Sequence, residues 1–199
     1  MATEPLDKVQ RHAGVDRLFH WVTAATMVVL LATSLLPIVG LRFAWVDLHW
    51  MAGVLLTVAI VLHILRATFW QQLMVIVPRP ADLAEFSGAR PGKYSLPQKL
   101  MHLAWTLAVV VAAVTGVLLM IKAGTPFFVR NPYVFTLGTW GYLTLLHDLG
   151  ALLSVFLIMV HVYFGLLPEK RSYLRSMAKG WMTRAELRAH HRDGERGPP

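Results

Sequence analysis

The sequence predicts an all-α membrane protein: a bundle of four transmembrane helices with the amino and carboxyl termini both in the cytoplasm. Three observations carry this. Of 199 residues, 56% are hydrophobic and only 15% are charged, with a mean hydropathy of +0.53. A soluble domain carries about 25% charged residues. Four apolar runs each exceed the ~20 residues that cross the hydrocarbon of a bilayer. Lysine and arginine are divided very unevenly between the segments joining those runs, and that asymmetry sets orientation.

Residues 1–17 form a short polar tail. The first span runs from Leu18 to about Leu41. It is too long for a signal-peptide core and ends without a small-residue cleavage site, so it is expected to be retained. Pro37 is expected to bend its far end. The second span covers about Val46–Phe69, the third about Gln98–Ile121 and the fourth about Tyr142–Leu167. Together they make a transmembrane domain over residues 18–167, followed by a basic cytoplasmic tail over 168–199, partly helical. Residues 70–97 contain Pro78, Pro80, Pro91 and Gly92 and are expected to be irregular. Residues 122–141 carry Phe127, Phe128, Tyr133, Phe135 and Trp140, either an interfacial aromatic belt or a docking surface for an external partner.

Of the 19 Lys and Arg residues, sixteen share one side of the membrane. They are Lys8, Arg11 and Arg17 in the first tail; Arg66, Arg79, Arg90, Lys93 and Lys99 around the middle connection; and eight from Lys170 to Arg196. Arg42, Lys122 and Arg130 lie opposite. Basic side chains favour the cytoplasmic face. The net charge of +8 is therefore assigned to topology and anionic lipid rather than to nucleic acid. There is no cysteine, which excludes disulfides, iron–sulfur ligation and covalent haem attachment within this chain.

The chemistry lies in the histidines. His147 and His161 are fourteen residues apart in the fourth span, as are His49 and His63 in the second. That spacing closes to within roughly 40° of whole helical turns, so each pair leaves one helix face, about 21 Å apart along the axis. Ionisable groups inside a span are costly and mark function. Topology places His49 and His147 near the outer surface, and His20, His63, His102 and His161 near the cytoplasmic one. His12, His190 and His191 fall outside the bilayer, and His190 and His191 are expected to be solvated. Two helices carrying a histidine at each depth suit two stacked b-type haems, each held between imidazoles of different helices. In the outer layer the pair is His49 and His147. In the inner layer His161 has three potential partners, and shared helix face favours His63. Simple carbonyl-bonded histidines, or zinc bound by two pairs, are the competing readings.

Several stretches resemble the cytochrome b (gamma) subunit of membrane-bound formate dehydrogenases and related di-haem cytochromes. They are DRLFHW (Asp16–Trp21), GKYSLPQKL (Gly92–Leu100), VTG (Val114–Gly116), LLHDLGALLSVFLIMVH (ending at His161) and SYLRSMAKGWMTRAELRAHH (Ser172–His191). The resemblance spans nearly the whole chain. It implies that the outer haem is held by His49 and His147 and the inner one by His20 and His161. His63 then lies near a propionate or a quinone. The family's quinone pocket, for menaquinone or ubiquinone, lies before the third span, where an asparagine and a glutamine are typical. Gln98 matches the glutamine. Ser95 stands at the asparagine position with a shorter reach, and His102 one turn on faces the same region. Arg66 is a candidate partner for a propionate. Gly53, Gly116 and Gly150 are placed for close approach of a porphyrin or a helix. Asp148, an acid well inside a span, is placed to bond a ligand histidine or a propionate-side water.

The expected function is electron transfer between a periplasmic dehydrogenase, through an iron–sulfur subunit, and the quinone pool of a bacterial inner membrane, with quinone reduced near the cytoplasm. A stand-alone cytochrome b using a small diffusible donor is the alternative. A haem-free anchor or metal transporter is the third reading, and it calls for broken helices or a carboxylate-lined path.

Overall fold

The computed structural model describes residues 7–71 and 73–190, without the side chain of His190. His191, Arg192 and Arg196 lie outside the described residues. Helix α1 covers Gly14–Ile38, α2 Trp45–Trp70, α3 Leu96–Ala123 and α4 Leu137–Leu166. All four are long and apolar enough to cross a membrane. Only 11–17% of each apolar window is buried inside the chain, so most of these side chains need lipid or a partner subunit as their surroundings.

Helix ends follow local chemistry. Pro37 lies in the last turn of α1. It lacks the N–H that would extend the ladder, and α1 stops at Ile38, three residues before the expected end, with Gly40 at φ 94° turning the chain. Helix α4 starts at Leu137, five residues earlier than hydropathy indicates, because Thr136 caps it: its Oγ1 accepts from Thr139 N at 3.2 Å. At the start of α3, Gln98 Oε1 accepts from Ser95 N at 2.9 Å and Glu85 Oε2 accepts from Leu96 N at 2.9 Å. The stretch before it is less irregular than its prolines imply, with 3-10 turns at Leu73–Val75 and Pro80–Ser87.

The helices form two hairpins. Helix α1 packs along α2, and α3 packs along α4; backbones of different hairpins meet closely where α2 passes α3. Without a hydrophobic driving force in lipid, such packing relies on small residues. Gly150 supplies one: a methyl there would stand 3.2 Å from the Ala108 carbonyl and 3.4 Å from Ala112 Cβ. At Gly53 a methyl would meet only Leu30 Cδ2 at 4.0 Å, an ordinary contact. A seam remains between the hairpins, where α4 meets α1 and α2 far more sparsely than it meets α3.

Polar segments at the two chain ends, read in the sequence as separate tails, build one small layer. Strand β1 (Lys8–Gln10) pairs antiparallel with β2 (Trp181–Thr183), which sits between α5 (Arg171–Lys179) and α6 (Arg184–His190). Arg11 N and His12 N donate to the Gly180 carbonyl at 2.8 and 3.2 Å. Met182 is fully buried, and the Trp181 ring lies between Lys8 Nζ (4.5 Å) and Arg175 Cζ (4.6 Å). Buried Arg11 donates to the Lys93 carbonyl at 2.5 Å, tying this layer to the middle connection.

Opposite, the 122–141 segment folds onto the ends of α3 and α4. Trp140 is not part of an exposed belt. It is buried, donates from Nε1 to the Pro132 carbonyl at 2.8 Å and lies under Lys122 Nζ at 5.8 Å. Phe127 and Tyr133 are exposed.

Candidate functional site

Four histidines meet in two facing pairs across the seam. His49 of α2 and His147 of α4 have ring centres 6.0 Å apart with planes inclined at 72°. His20 of α1 and His161 of α4 stand 6.2 Å apart at 46°. Both pairs join one hairpin to the other. Two imidazoles on one metal each reach it over about 2 Å, and each ring centre lies about 1 Å beyond its nitrogen, so such rings stand about 6 Å apart. The pairs fit this spacing, and the seam between the hairpins is where a flat group can enter.

The His49–His147 pair, expected to be the outer one, is braced. His49 Nδ1 lies 2.8 Å from Thr33 Oγ1, while His147 Nδ1 lies 3.0 Å from Thr115 Oγ1 and 3.0 Å from the Ala112 carbonyl. Among the described residues, no hydrogen bond engages either Nε2. A methyl on Gly116 would stand 3.1 Å from His147 Cε1, so this glycine clears room for the ring. Sequence reasoning missed both threonines, although Thr115 sits inside the VTG stretch it singled out. Asp148 is exposed, and it is Thr115 and Ala112 that bond the ring.

The inner layer is more crowded. His20 Nδ1 is buried and has no hydrogen-bond partner among the described residues. His63 does not face His161. Its ring stacks on Phe19 at 4.3 Å and 12°. Helix phase explains the difference: sharing a face with His49 does not make His63 face the same neighbour, because Phe19 of α1 covers it. Arg66 pairs with Asp16, which also accepts from Gln71 Nε2 at 3.1 Å, so its guanidinium is already engaged.

In the segment before α3, Gln98 Oε1 and Ser95 N are bound to each other in the cap, which leaves the Gln98 amide N–H groups as its free donors. His102 is exposed one turn on. Lys99 is buried and bonds Asp82 through both carboxylate oxygens at 2.8 and 3.0 Å, locking the Pro80–Ser87 turn onto the start of α3. This hydrogen-bonded ammonium holds the Asp82 carboxyl below the usual aspartate range. Among the described residues, no three His, Cys, Asp or Glu side chains converge as a metal cluster.

A profile of the prokaryotic cytochrome b561 family matches residues 11–180. The chain belongs to the prokaryotic cytochrome b561 family. The match covers all four spans and both histidine pairs. This cytochrome b561 is also similar to the formate dehydrogenase cytochrome b556 subunit of Haemophilus influenzae, with 23% identity over 210 residues, covering 92% of this chain and 81% of that protein. As a member of the family it is a multi-pass electron-transfer protein of the bacterial inner membrane that uses b-type haem.

Proposed function

We propose that this cytochrome b is the di-haem membrane subunit of a formate dehydrogenase-like complex. It carries electrons between a periplasmic catalytic enzyme, reached through an iron–sulfur subunit, and menaquinone or ubiquinone reduced near the cytoplasm. The observation that supports it most is the pair of facing histidine couples at two depths of α4, at 6.0 and 6.2 Å. Similarity to a formate dehydrogenase cytochrome b556 subunit supports the choice of partner.

In this reading His49 and His147 present bare Nε2 lone pairs at the outer depth, and His20 and His161 do so at the inner depth. Bound b-type haem supplies one-electron redox chemistry at iron. The residues supply the rest. Four apolar helices keep water from the path between the two depths. The seam holds the imidazoles apart from opposite hairpins. Near the inner pair, the Gln98 amide and His102 are the donors offered to a quinone carbonyl, with Ser95 held in the cap beside them. Protons for quinol come from the cytoplasmic face, so turnover separates charge. The division into a transmembrane domain (18–167) and two cytoplasmic tails is part of the same reading, with the tails joined as a single cap through β1 and β2. Purification with its partners and addition of a quinone analogue tests this. The haem-loaded complex should reduce the analogue on adding the partner's substrate, with loss of the rate when His161 is replaced. No reduction, with both haems present, would refute the quinone step.

A further inference from the structure

We propose that Thr33 and Thr115 are positioning residues of the outer histidine pair: they fix which ring nitrogen carries hydrogen and aim the other across the seam. This rests on the two-depth reading above and deepens it. A threonine hydroxyl has one hydrogen to give. Thr33 Oγ1 lies 2.8 Å from the Val29 carbonyl and 3.0 Å from that of Leu30; Thr115 Oγ1 lies 2.7 Å from Val111 and 3.2 Å from Ala112. Carbonyl oxygens only accept, so each hydroxyl hydrogen goes to its own helix. The same oxygens lie 2.8 and 3.0 Å from Nδ1 of His49 and His147. With its hydrogen already donated, each hydroxyl accepts, and each Nδ1 is the N–H. The Ala112 carbonyl, 3.0 Å from His147 Nδ1, demands the same tautomer. A neutral imidazole has one N–H, so both Nε2 atoms carry lone pairs for a metal.

The device occurs twice with the same connectivity. The threonine sits on the first helix of a hairpin and its histidine on the second: α1 to α2, and α3 to α4. These are the closely packed helix pairs, so packing within a hairpin fixes how its imidazole leaves for the opposite hairpin. Gly116, next to Thr115, clears the volume that the His147 ring takes. The inner layer lacks the device at His20, whose buried Nδ1 meets no acceptor among the described residues.

An acceptor on Nδ1–H raises the basicity of Nε2 and favours the oxidised metal. Removing the acceptor should therefore raise the reduction potential of the outer centre alone. The test is an optical redox titration with electron paramagnetic resonance on the haem-loaded full chain, comparing wild type, T33V, T115V, the double variant, and T33S with T115S. His147→Ala assigns the outer component. The expected result is a rise in the outer potential in T33V, a smaller one in T115V, where the Ala112 carbonyl still accepts from His147 Nδ1, and the largest in the double variant, with an altered ferric signal, an unmoved inner component and wild-type values in the serine variants. Selective loss of the outer component in valine but not serine variants also supports the proposal. Two components, both unmoved in the double variant, would overturn this inference alone. A wild-type chain with a single component would overturn the two-depth reading together with it.

Discussion

The outer and inner halves of the bundle hold the same kind of histidine couple in different surroundings. At the outer end each imidazole is bonded by a neighbouring helix and Gly116 leaves room for a ring. At the inner end His20 Nδ1 is unbonded among the described residues, and two further histidines and the Arg66–Asp16 pair crowd the same depth. A site that only holds a metal profits from rigid bracing. Under the proposed function the inner site adjoins a quinone pocket, and among the described residues the His102 ring and the Gln98 amide are the donors offered to it.

The comparison breaks most sharply at the ligands. His147→Ala should abolish the outer haem and leave the inner one spectrally intact, while His161→Ala should do the reverse, in reduced-minus-oxidised spectra. If either change removed both haems, the halves would not be independent. Gly116→Val should lower outer haem content without touching the inner haem, with a smaller loss than His147→Ala, because the new side chain meets the His147 ring. His63→Ala should retain both haems; loss of the inner one would restore the pairing that spacing favours. The smallest effect lies in the cap. Burial, with the Arg11 charge beside it, lowers the His12 pKa from 6.5 to about 4. Between these values the unfolded chain binds a proton that the folded chain refuses, so stability falls on acidification. His12→Gln should flatten the loss of thermal midpoint between pH 6.5 and pH 4.

The spans were legible because an apolar run of bilayer length leaves few alternatives. The outer pair was legible too, since topology put only two histidines at that depth. The inner pair was not fixed by spacing. Fourteen residues place His49 and His63 on one face of α2, but which neighbour that face meets depends on how α1 sits against it, and Phe19 occupies that place. The family resemblance supplied His20 where periodicity favoured His63. Thr33 and Thr115 carried a readable signal, being hydroxyls at the depth of His49 and His147, yet threonine in a span usually bonds only its own helix. Pairing of β1 with β2 was invisible: three-residue strands at opposite ends of the chain have no periodicity to detect. Arg66 shows a similar limit, because its engagement with Asp16 depends on how α1 and α2 align.

The most direct measurement is haem quantification per chain in the detergent-purified protein, alongside its reduced-minus-oxidised spectrum. Two non-covalent b-type haems per polypeptide, extractable into acid acetone and each lost separately with its own histidine couple, are expected. A folded chain that binds none, or a single haem that survives both His147→Ala and His161→Ala, would contradict the account.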